Sequence, residues 1–317
     1  MKKITRYIMM LTATLLFASC HHKDLYFDDV DLGDIRIVFD WRKAPEANPA
    51  SMEVFLYDSS TSRETRFNFQ DRVGGTVELE VGQYNGLGIN SDISEWANTR
   101  NIDNIETFEI YTSEASKLSA YSLDPNTVPK ARGAEDERIV STPGMLWSGR
   151  QDSITIVDSQ ARKVITFFPQ EDICHYTVDV TNVKNIEYIH GLKIDGTISG
   201  MAEGYLHGKH KPTDTSVTMP FDLSVNSDDN GLHSEFLTFG ESEETANDHI
   251  LSLYIIMSDG SKRHYTFDVT SQVHNAPDPR HVHIVISGVE LPKSVETGDG
   301  FVPEVNDWET EHVNIVM

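Results

Sequence analysis

Cysteine and histidine are the side chains through which this sequence could carry out nucleophilic or metal chemistry, and it contains 2 Cys and 13 His among 317 residues. Cys174 lies in a predicted strand and shares one side of it with Tyr176 and Val178, whereas His175 points to the opposite side. Because adjacent strand residues face apart, His175 cannot activate Cys174 as a nucleophile. We therefore interpret Cys174 as a core residue.

The histidines do not form a recognisable ligand motif. His281 and His283 alternate with Val282 and Ile284, so both imidazoles face away from the predicted core. Two ligands without a third or fourth nearby rarely bind a metal tightly. His207 and His210 are no better placed as a pair of ligands. We expect no metal.

Two further stretches only approach known motifs. Gly204–His210 has three residues between its glycines where a phosphate-binding loop needs four. Asn226–Leu237 begins like a calcium loop but ends in Leu, which cannot supply the bidentate carboxylate. Neither a Gly-x-Ser-x-Gly elbow nor a His-Glu-x-x-His pair occurs. The sequence thus predicts no catalytic residue and no cofactor, and we expect the protein not to be an enzyme.

Cys20 has a different context, because it follows a basic start, an apolar stretch over 7–17 and the small residues Ala18 and Ser19. That order is typical of a secretory signal peptide. The apolar stretch is roughly eleven residues long, against about 20 for a membrane-spanning helix. We therefore expect residues 1–19 to be removed.

The residues directly before Cys20 resemble the bacterial lipobox, in which the cysteine is acylated on sulfur and then on its new amino terminus. Phe17 replaces the usual Leu of that motif. Each buried methylene contributes about 0.8 kcal/mol, so several acyl chains, such as palmitate, hold a protein firmly in a membrane. Lys23-Asp24 resembles the charged signal that sends Bacteroidales lipoproteins to the outer face of the outer membrane, and a solvated tether over 20–33 explains it equally well.

The charge balance excludes one large class of partner. The chain has 26 basic and 50 acidic residues, a formal charge of −24. All three bases before residue 20 lie in the predicted leader, which leaves 23 bases and about −27 for the rest. So acidic a body repels phosphate backbones, and we expect no nucleic-acid binding.

The body of the chain shows the period of two that is typical of half-buried strands. The strongest hairpin signal places Ser258–Lys262 between alternating runs at 251–257 and 263–269. Short helical turns are expected near 95–100 and 269–273. Two stretches interrupt the rhythm: Ser113–Glu137, which is polar enough to predict an exposed loop, and 169–172, where we place a domain boundary. We predict an all-β protein with two antiparallel β-sandwiches, at 34–170 and 171–317, with a single barrel as the alternative.

Several motifs recur in the order known from one lipoprotein family, and they span nearly the whole mature chain. They are Cys20–Leu25, Phe39–Trp41, Gly82–Tyr84 with Asn90–Asp92, Ser141–Trp147, Ile198–Tyr205, Leu237–Gly240, Phe267–Thr270, His281–Ile286, Gly300–Pro303 and Asp307–Trp308. In these motifs the chain resembles the Bacteroidales fimbrillin-like lipoproteins, of the anchor or accessory type of the type V pilus. Some of these are catalogued only as a domain of unknown function.

The resemblance implies two tandem transthyretin-like sandwiches, an outer-membrane lipid anchor at Cys20, and fimbrillin subunits as partners through strand complementation. The strand His312–Met317 is then a candidate edge for pairing with another subunit, or else a simple closing strand. A surface lipoprotein that binds glycans is the alternative, since four Trp could stack on sugars if two of them formed an exposed coplanar pair.

Overall fold

The computed structural model describes residues 32–118, 123–157, 162–226, 230–242, 248–293 and 307–313, so the predicted leader and Cys20 lie outside the described residues. The described chain is almost entirely β-structure, as the period of two predicted, and none of its helices is long and apolar enough to cross a membrane. The strands are β1 (Leu32–Phe39), β2 (Met52–Asp58), β3 (Glu64–Phe69), β4 (Gly74–Glu80), β5 (Gly82–Asn90), β6 (Ala97–Arg100), β7 (Glu109–Thr112), β8 (Trp147–Ile156), β9 (Lys163–Phe167), β10 (Gln170–Glu171), β11 (Cys174–Thr181), β12 (Ile189–Ala202), β13 (Gly204–Leu206), β14 (Lys211–Pro212), β15 (Ser216–Asp222), β16 (Ser224–Asn226), β17 (Gly231–Thr238), β18 (Ile250–Met257), β19 (Lys262–Asp268), β20 (His281–Ser287) and β21 (Trp308–Val313).

The helical segments are short. They are the 3-10 turns Trp41–Lys43, Asp92–Glu95, Ile186–Tyr188 and His207–Lys209, and the helix α1 (Thr270–His274). Helical turns were thus predicted near the right places, but residues 97–100 form strand β6.

Residues 32–171 form two sheets, in the orders β4-β1-β9 and β10-β8-β5-β2-β3. Ile35, Ile37 and Phe39 point inward from β1 while the residues between them face outward, and they pack on the apolar faces of β2 and β9. This alternation shows that the period-two pattern was interpreted correctly.

Residues 174–313 form two further sheets, in the orders β16-β17-β11-β20 and β15-β12-β18-β19-β21, and the largest apolar core of the described chain joins them to Phe55, Leu87 and Phe108 of the first half. The predicted hairpin is confirmed, since β18 pairs antiparallel with β19 from Ile250↔Asp268 to Ile256↔Lys262. The predicted boundary falls inside β10 and stays a proposal.

Not all strands pair antiparallel, although the sequence analysis predicted antiparallel sandwiches. β1 pairs parallel with β9, β11 with β20, and β19 with β21. A pattern of alternating residues places side chains on faces and carries no information on strand direction. In both halves the first long strand has a parallel neighbour from late in that half and an antiparallel neighbour on its other side.

A fifth sheet joins residues from the two halves, in the order β14-β13-β7-β6. Two buried carboxylates lie at this sheet, since Glu109 begins β7 and Glu203 directly precedes β13, and they are 6% and 4% exposed. Arg100 donates to Glu109 at 2.7 Å and to Glu203 at 3.1 Å, and Arg138 pairs with the other oxygen of Glu203. Buried carboxylates are tolerated only when paired in this way. The two arginines are therefore required for the two halves to pack together at this sheet, which we call the seam.

The predicted loop at 113–137 is irregular, as expected, and most of its described residues are exposed, but several of its apolar residues are buried. Leu118, Val128 and Ile139 are buried against Tyr254 of β18, whose hydroxyl donates to the carbonyl of Pro129 at 2.8 Å. The loop therefore covers the outer face of the five-stranded sheet of the second half. Its apolar residues are too far apart in sequence to show a strand or helix period, so the sequence did not predict their burial.

A second buried polar cluster surrounds Asp172. Ser148 and Tyr205 donate hydrogen bonds to its carboxylate, Tyr205 at 3.2 Å, and Nδ1 of His210 lies 3.5 Å from it. His207 is fully buried, its Nδ1 lies 3.8 Å from Asp172, and neither ring nitrogen makes a hydrogen bond. Burial lowers the pKa of His207 to about 4, so the ring is neutral at pH 7.

The paired carboxylates of the fifth sheet lead to a prediction about stability. Arg100→Ala removes one of two counterions from Glu109 and Glu203, which stay buried, and we expect the free energy of unfolding to fall by about 2–3 kcal/mol. The control is Arg63→Ala, which breaks the exposed pair with Glu80 and should cost less than about 1 kcal/mol. Equal losses in denaturant titrations of the two variants would contradict the role of the seam.

His207 leads to a prediction about pH. Its pKa is about 4 in the folded chain and near 6.5 when unfolded, so its contribution is complete above pH 6.5 and is lost as pH falls toward 4. We expect His207→Phe, which keeps a ring against Phe108, to reduce the dependence of unfolding free energy on pH by about 1 kcal/mol per unit in that window. The exposed His190→Gln variant is the control and should keep the wild-type slope. If the free energy of unfolding of His207→Phe depended on pH as strongly as that of the wild type, protonation of His207 would not contribute to acid unfolding.

Candidate functional site

The candidate site is β21, the strand at one edge of the sheet β15-β12-β18-β19-β21, called the rim below. It contains the described part of the predicted pairing strand. β21 is the edge strand and pairs in parallel with β19, from Lys262↔Trp308 to Phe267↔Val313. It begins four residues earlier than the sequence predicted, and residues 314–317 of the predicted strand lie outside the described residues.

The side chains of β21 contact its neighbours at the surface, as His312 does with Thr266 at 2.6 Å, but they bury little area. Trp308 and Val313, at its two ends, are half-buried, and the four residues between them are exposed. It is the longest described strand without a fully buried side chain. By comparison, the edge strand β20 buries Val282, Ile284 and Ile286. Main-chain hydrogen bonding therefore contributes a larger part of the attachment of β21 than it does for the other long strands that the structure describes.

Trp308 attaches the start of β21 to the outer face of the sheet. Its ring packs edge-on against Tyr254 with 5.5 Å between centroids, and the ammonium of Lys262 lies 5.9 Å from the ring. On the same face, Thr310 lies 3.2 Å from Nδ1 of His264, which stacks on Tyr254 at 4.9 Å. Burial lowers the pKa of His264 to about 4, so this contact is made by a neutral ring at pH 7.

The opposite face of β21 carries two acidic side chains, Glu309 and Glu311, of which Glu309 lies opposite a basic residue in β19. Glu309 pairs with Arg263, and Glu311 lies opposite Tyr265, whose pKa burial raises to about 12. Charged side chains along an edge oppose indiscriminate pairing with other strands. A strand that joins this rim would thus need a complementary, basic or neutral pattern.

The structure places the other candidate residues as follows. Cys174 is a half-buried free thiol whose pKa burial raises to about 11, in agreement with its interpretation as a packing residue. His175 turns away from it and lies 2.5 Å from Glu171. His283 faces outward as predicted, and binds one oxygen of Asp179 at 2.7 Å.

The tryptophans do not form the platform that glycan stacking requires. Trp41 and Trp147 are 9% and 8% exposed and meet at 83° between ring planes, with 6.5 Å between centroids. Trp96 packs against Phe239 at 6.3 Å. The exposed coplanar pair that would have favoured sugar binding is thus not formed by these rings.

Sequence reasoning missed one group that the fold assembles, Glu241, His249 and His274. These residues are too widely spaced to form a motif, and one is buried while two are exposed. Only the arrangement of β12, β18 and α1 brings them together.

Comparison with known structures shows the same fold elsewhere. A candidate adhesin from Bacteroides ovatus ATCC 8483 superposes with a TM-score of 0.64 at 21% identity, covering 87% of this chain and 98% of that one. The fimbrial anchor protein Mfa2 from Porphyromonas gingivalis gives 0.50 at 14% identity, with 80% and 90% covered. Candidate polysaccharide-binding proteins from Bacteroides thetaiotaomicron give 0.53 at 12% identity, with 81% and 91% covered.

Comparison with curated proteins finds no match. A sequence model described as a domain of unknown function, DUF5119, matches residues 19–222, about two thirds of the chain. The fold is shared with a fimbrial anchor protein and a candidate adhesin, as the resemblance to fimbrillin-like proteins predicted. The chain therefore belongs to the DUF5119 family.

Proposed function

We propose that this protein is an outer-membrane lipoprotein of the fimbrial anchor or accessory type, held to the membrane through Cys20 and exposed at the cell surface. Its role would be to receive another subunit by strand pairing in a surface adhesive assembly. The observation that carries the proposal is β21, a rim strand whose four central side chains are exposed and which is held chiefly by its main chain.

Strand addition suits this rim for a physical reason. An added strand gains affinity from main-chain hydrogen bonds, which the free edge of a sheet offers in a row. Among the residues that the structure describes, β21 pairs with β19 alone, so its other edge is available. The similarity in fold to a fimbrial anchor protein and to candidate adhesins supports the same class of function.

The placement of the lipid is consistent with this arrangement. Residues 20–33 would form the tether, whose last two residues already belong to β1, and β1 lies in the middle of its sheet and buries Ile35, Ile37 and Phe39. A pull on the body would therefore be transmitted to an embedded strand and not to an edge. We propose further that each half of the chain is a transthyretin-like sandwich, divided near residue 170.

Glycan binding remains the alternative function, and its support is the fold likeness to candidate polysaccharide-binding proteins. The packing of Trp41 against Trp147 speaks against it. Titration with oligosaccharides tests it through a saturable change in Trp fluorescence.

The lipid anchor predicts the behaviour of one substitution. Cys20→Ala should move the protein from the membrane fraction to the soluble fraction and abolish its labelling by a palmitate analogue, because the thiol that carries the acyl chains is gone. Cys174→Ala is the matched control and should remain membrane-bound. A Cys20→Ala protein that still sediments with membranes would overturn the anchor.

The pairing edge predicts the behaviour of two neighbouring proline variants. In a parallel rim strand successive N–H groups point alternately to β19 and outward, so one of Glu311→Pro and His312→Pro removes an outward donor. We expect that variant to lose co-purification of fimbrillin-like subunits from cells, identified by mass spectrometry.

The alanine variants at the same two positions are the controls, since they change side chains but keep every main-chain donor. They should bind as the wild type does. Recovery of equal amounts of subunits with both proline variants, or of none with the wild type under any condition, would count against strand pairing at β21.

A further inference from the structure

Three segments of the second half converge near the end of β12. Glu241 follows β17 and bridges to Met201 of β12, His249 precedes β18, and His274 ends α1. One ligand atom from each lies within 4.8 Å of the other two. Within the described part of the chain this is the group with the spacing of a metal site.

The orientation of His249 is fixed by its surroundings. Its Nδ1 lies 3.0 Å from the carbonyl oxygen of Ser199 and donates to it, which leaves the lone pair on Nε2. Gly200 has φ +78°, and a Cβ at this position would lie 2.8 Å from Nδ1 of His249. Residue 200 must therefore be glycine for the His249 ring to fit. A ring nitrogen bonded to a backbone carbonyl is the usual outer support of a metal-binding histidine.

The free nitrogen of His249 has no hydrogen bond inside the protein. The residue is 1% exposed, and Nε2 is buried and unpartnered. It points toward Oε2 of Glu241, 3.5 Å away, beyond a good hydrogen bond. A buried polar atom without a partner is costly, and a bound cation would satisfy it.

The distances fit a tetrahedral cation better than an ion pair. Oε2 of Glu241 lies 3.2 Å from Nε2 of His274 and 3.5 Å from Nε2 of His249. Zinc bonds of about 2.0 Å to nitrogen and oxygen place tetrahedral ligands about 3.3 Å apart. The two imidazoles meet at 86° with 5.1 Å between centroids, so their Nε2 edges converge without stacking.

A second histidine–carboxylate group shows what an ordinary ion pair looks like in this protein. Asp179 binds His233 through one oxygen and His283 through the other, each at 2.7 Å. Those hydrogen bonds are short and use separate oxygens, so each imidazole is satisfied. The group at Glu241 instead directs two imidazoles at one oxygen across longer gaps.

We propose that Glu241, His249 and His274 form a zinc-binding site. Two imidazoles and a carboxylate are a donor set that zinc accepts, with the fourth position left to water or an outside ligand. Bound zinc fastens the residue after β17, the start of β18 and the end of α1 to one another. This inference does not rest on the proposed function, and it departs from the sequence-based expectation that no metal binds.

The test uses the mature protein stripped with a chelator and then titrated with zinc chloride. We expect one zinc ion per chain and a rise in the melting temperature of about 5 °C at 100 times the dissociation constant. His274→Gln and Glu241→Gln should each weaken binding at least tenfold, because each removes one of three ligands. Both residues are exposed, so these variants should fold.

The control is His283→Gln, which removes an imidazole from the Asp179 group and should leave zinc binding unchanged. A crystal grown with zinc should show anomalous scattering between Oε2 of Glu241 and Nε2 of His249 and His274. Absence of stoichiometric binding at 100 µM zinc, or binding that survives both glutamine variants, would overturn the site.

Discussion

Two buried carboxylates set the condition under which the halves of this protein can pack together. Glu109 begins β7 of the sheet that draws strands from both halves, Glu203 lies in the bend directly before β13 of that sheet, and each would be very costly to bury alone. Arg100 spans both of them and Arg138 completes the pairing. Because Arg138 ends the covering loop, the same ion pairs that close the seam also fix that loop over the outer sheet.

The covering loop explains why β18 has no polar face. Its inner side chains enter the main core, and its outer Tyr254 is covered by Leu118, Val128 and Ile139. A strand covered on both faces has no exposed residue, as β18 shows, and its one small polar residue in the covered stretch, Ser252, is itself buried. Trp308 packs beside Tyr254, so the start of the rim strand depends on the same layer.

The rim strand and the seam differ in what holds them. At the seam, charge pairing and burial act together, and removing one partner leaves a desolvated charge. At β21, four exposed side chains leave main-chain hydrogen bonds as the dominant attachment. Such a strand can exchange or add a partner without disturbing the core, which is the physical basis for assigning the assembly role to this part of the molecule.

The sequence by itself determined the class of fold and the inward faces of the strands, because a period of two is set by local backbone geometry. The alternation through Ile35, Ile37 and Phe39 and the hairpin of β18 and β19 were readable in this way. The leader and Cys20 are also local patterns, and the proposal of a lipid anchor rests on them. Tertiary structure alone decided the parallel pairings, the burial of Leu118 and Val128 from the 113–137 loop and the convergence of Glu241 with His249 and His274. Each of these depends on contacts between residues distant in the chain, which no local pattern encodes.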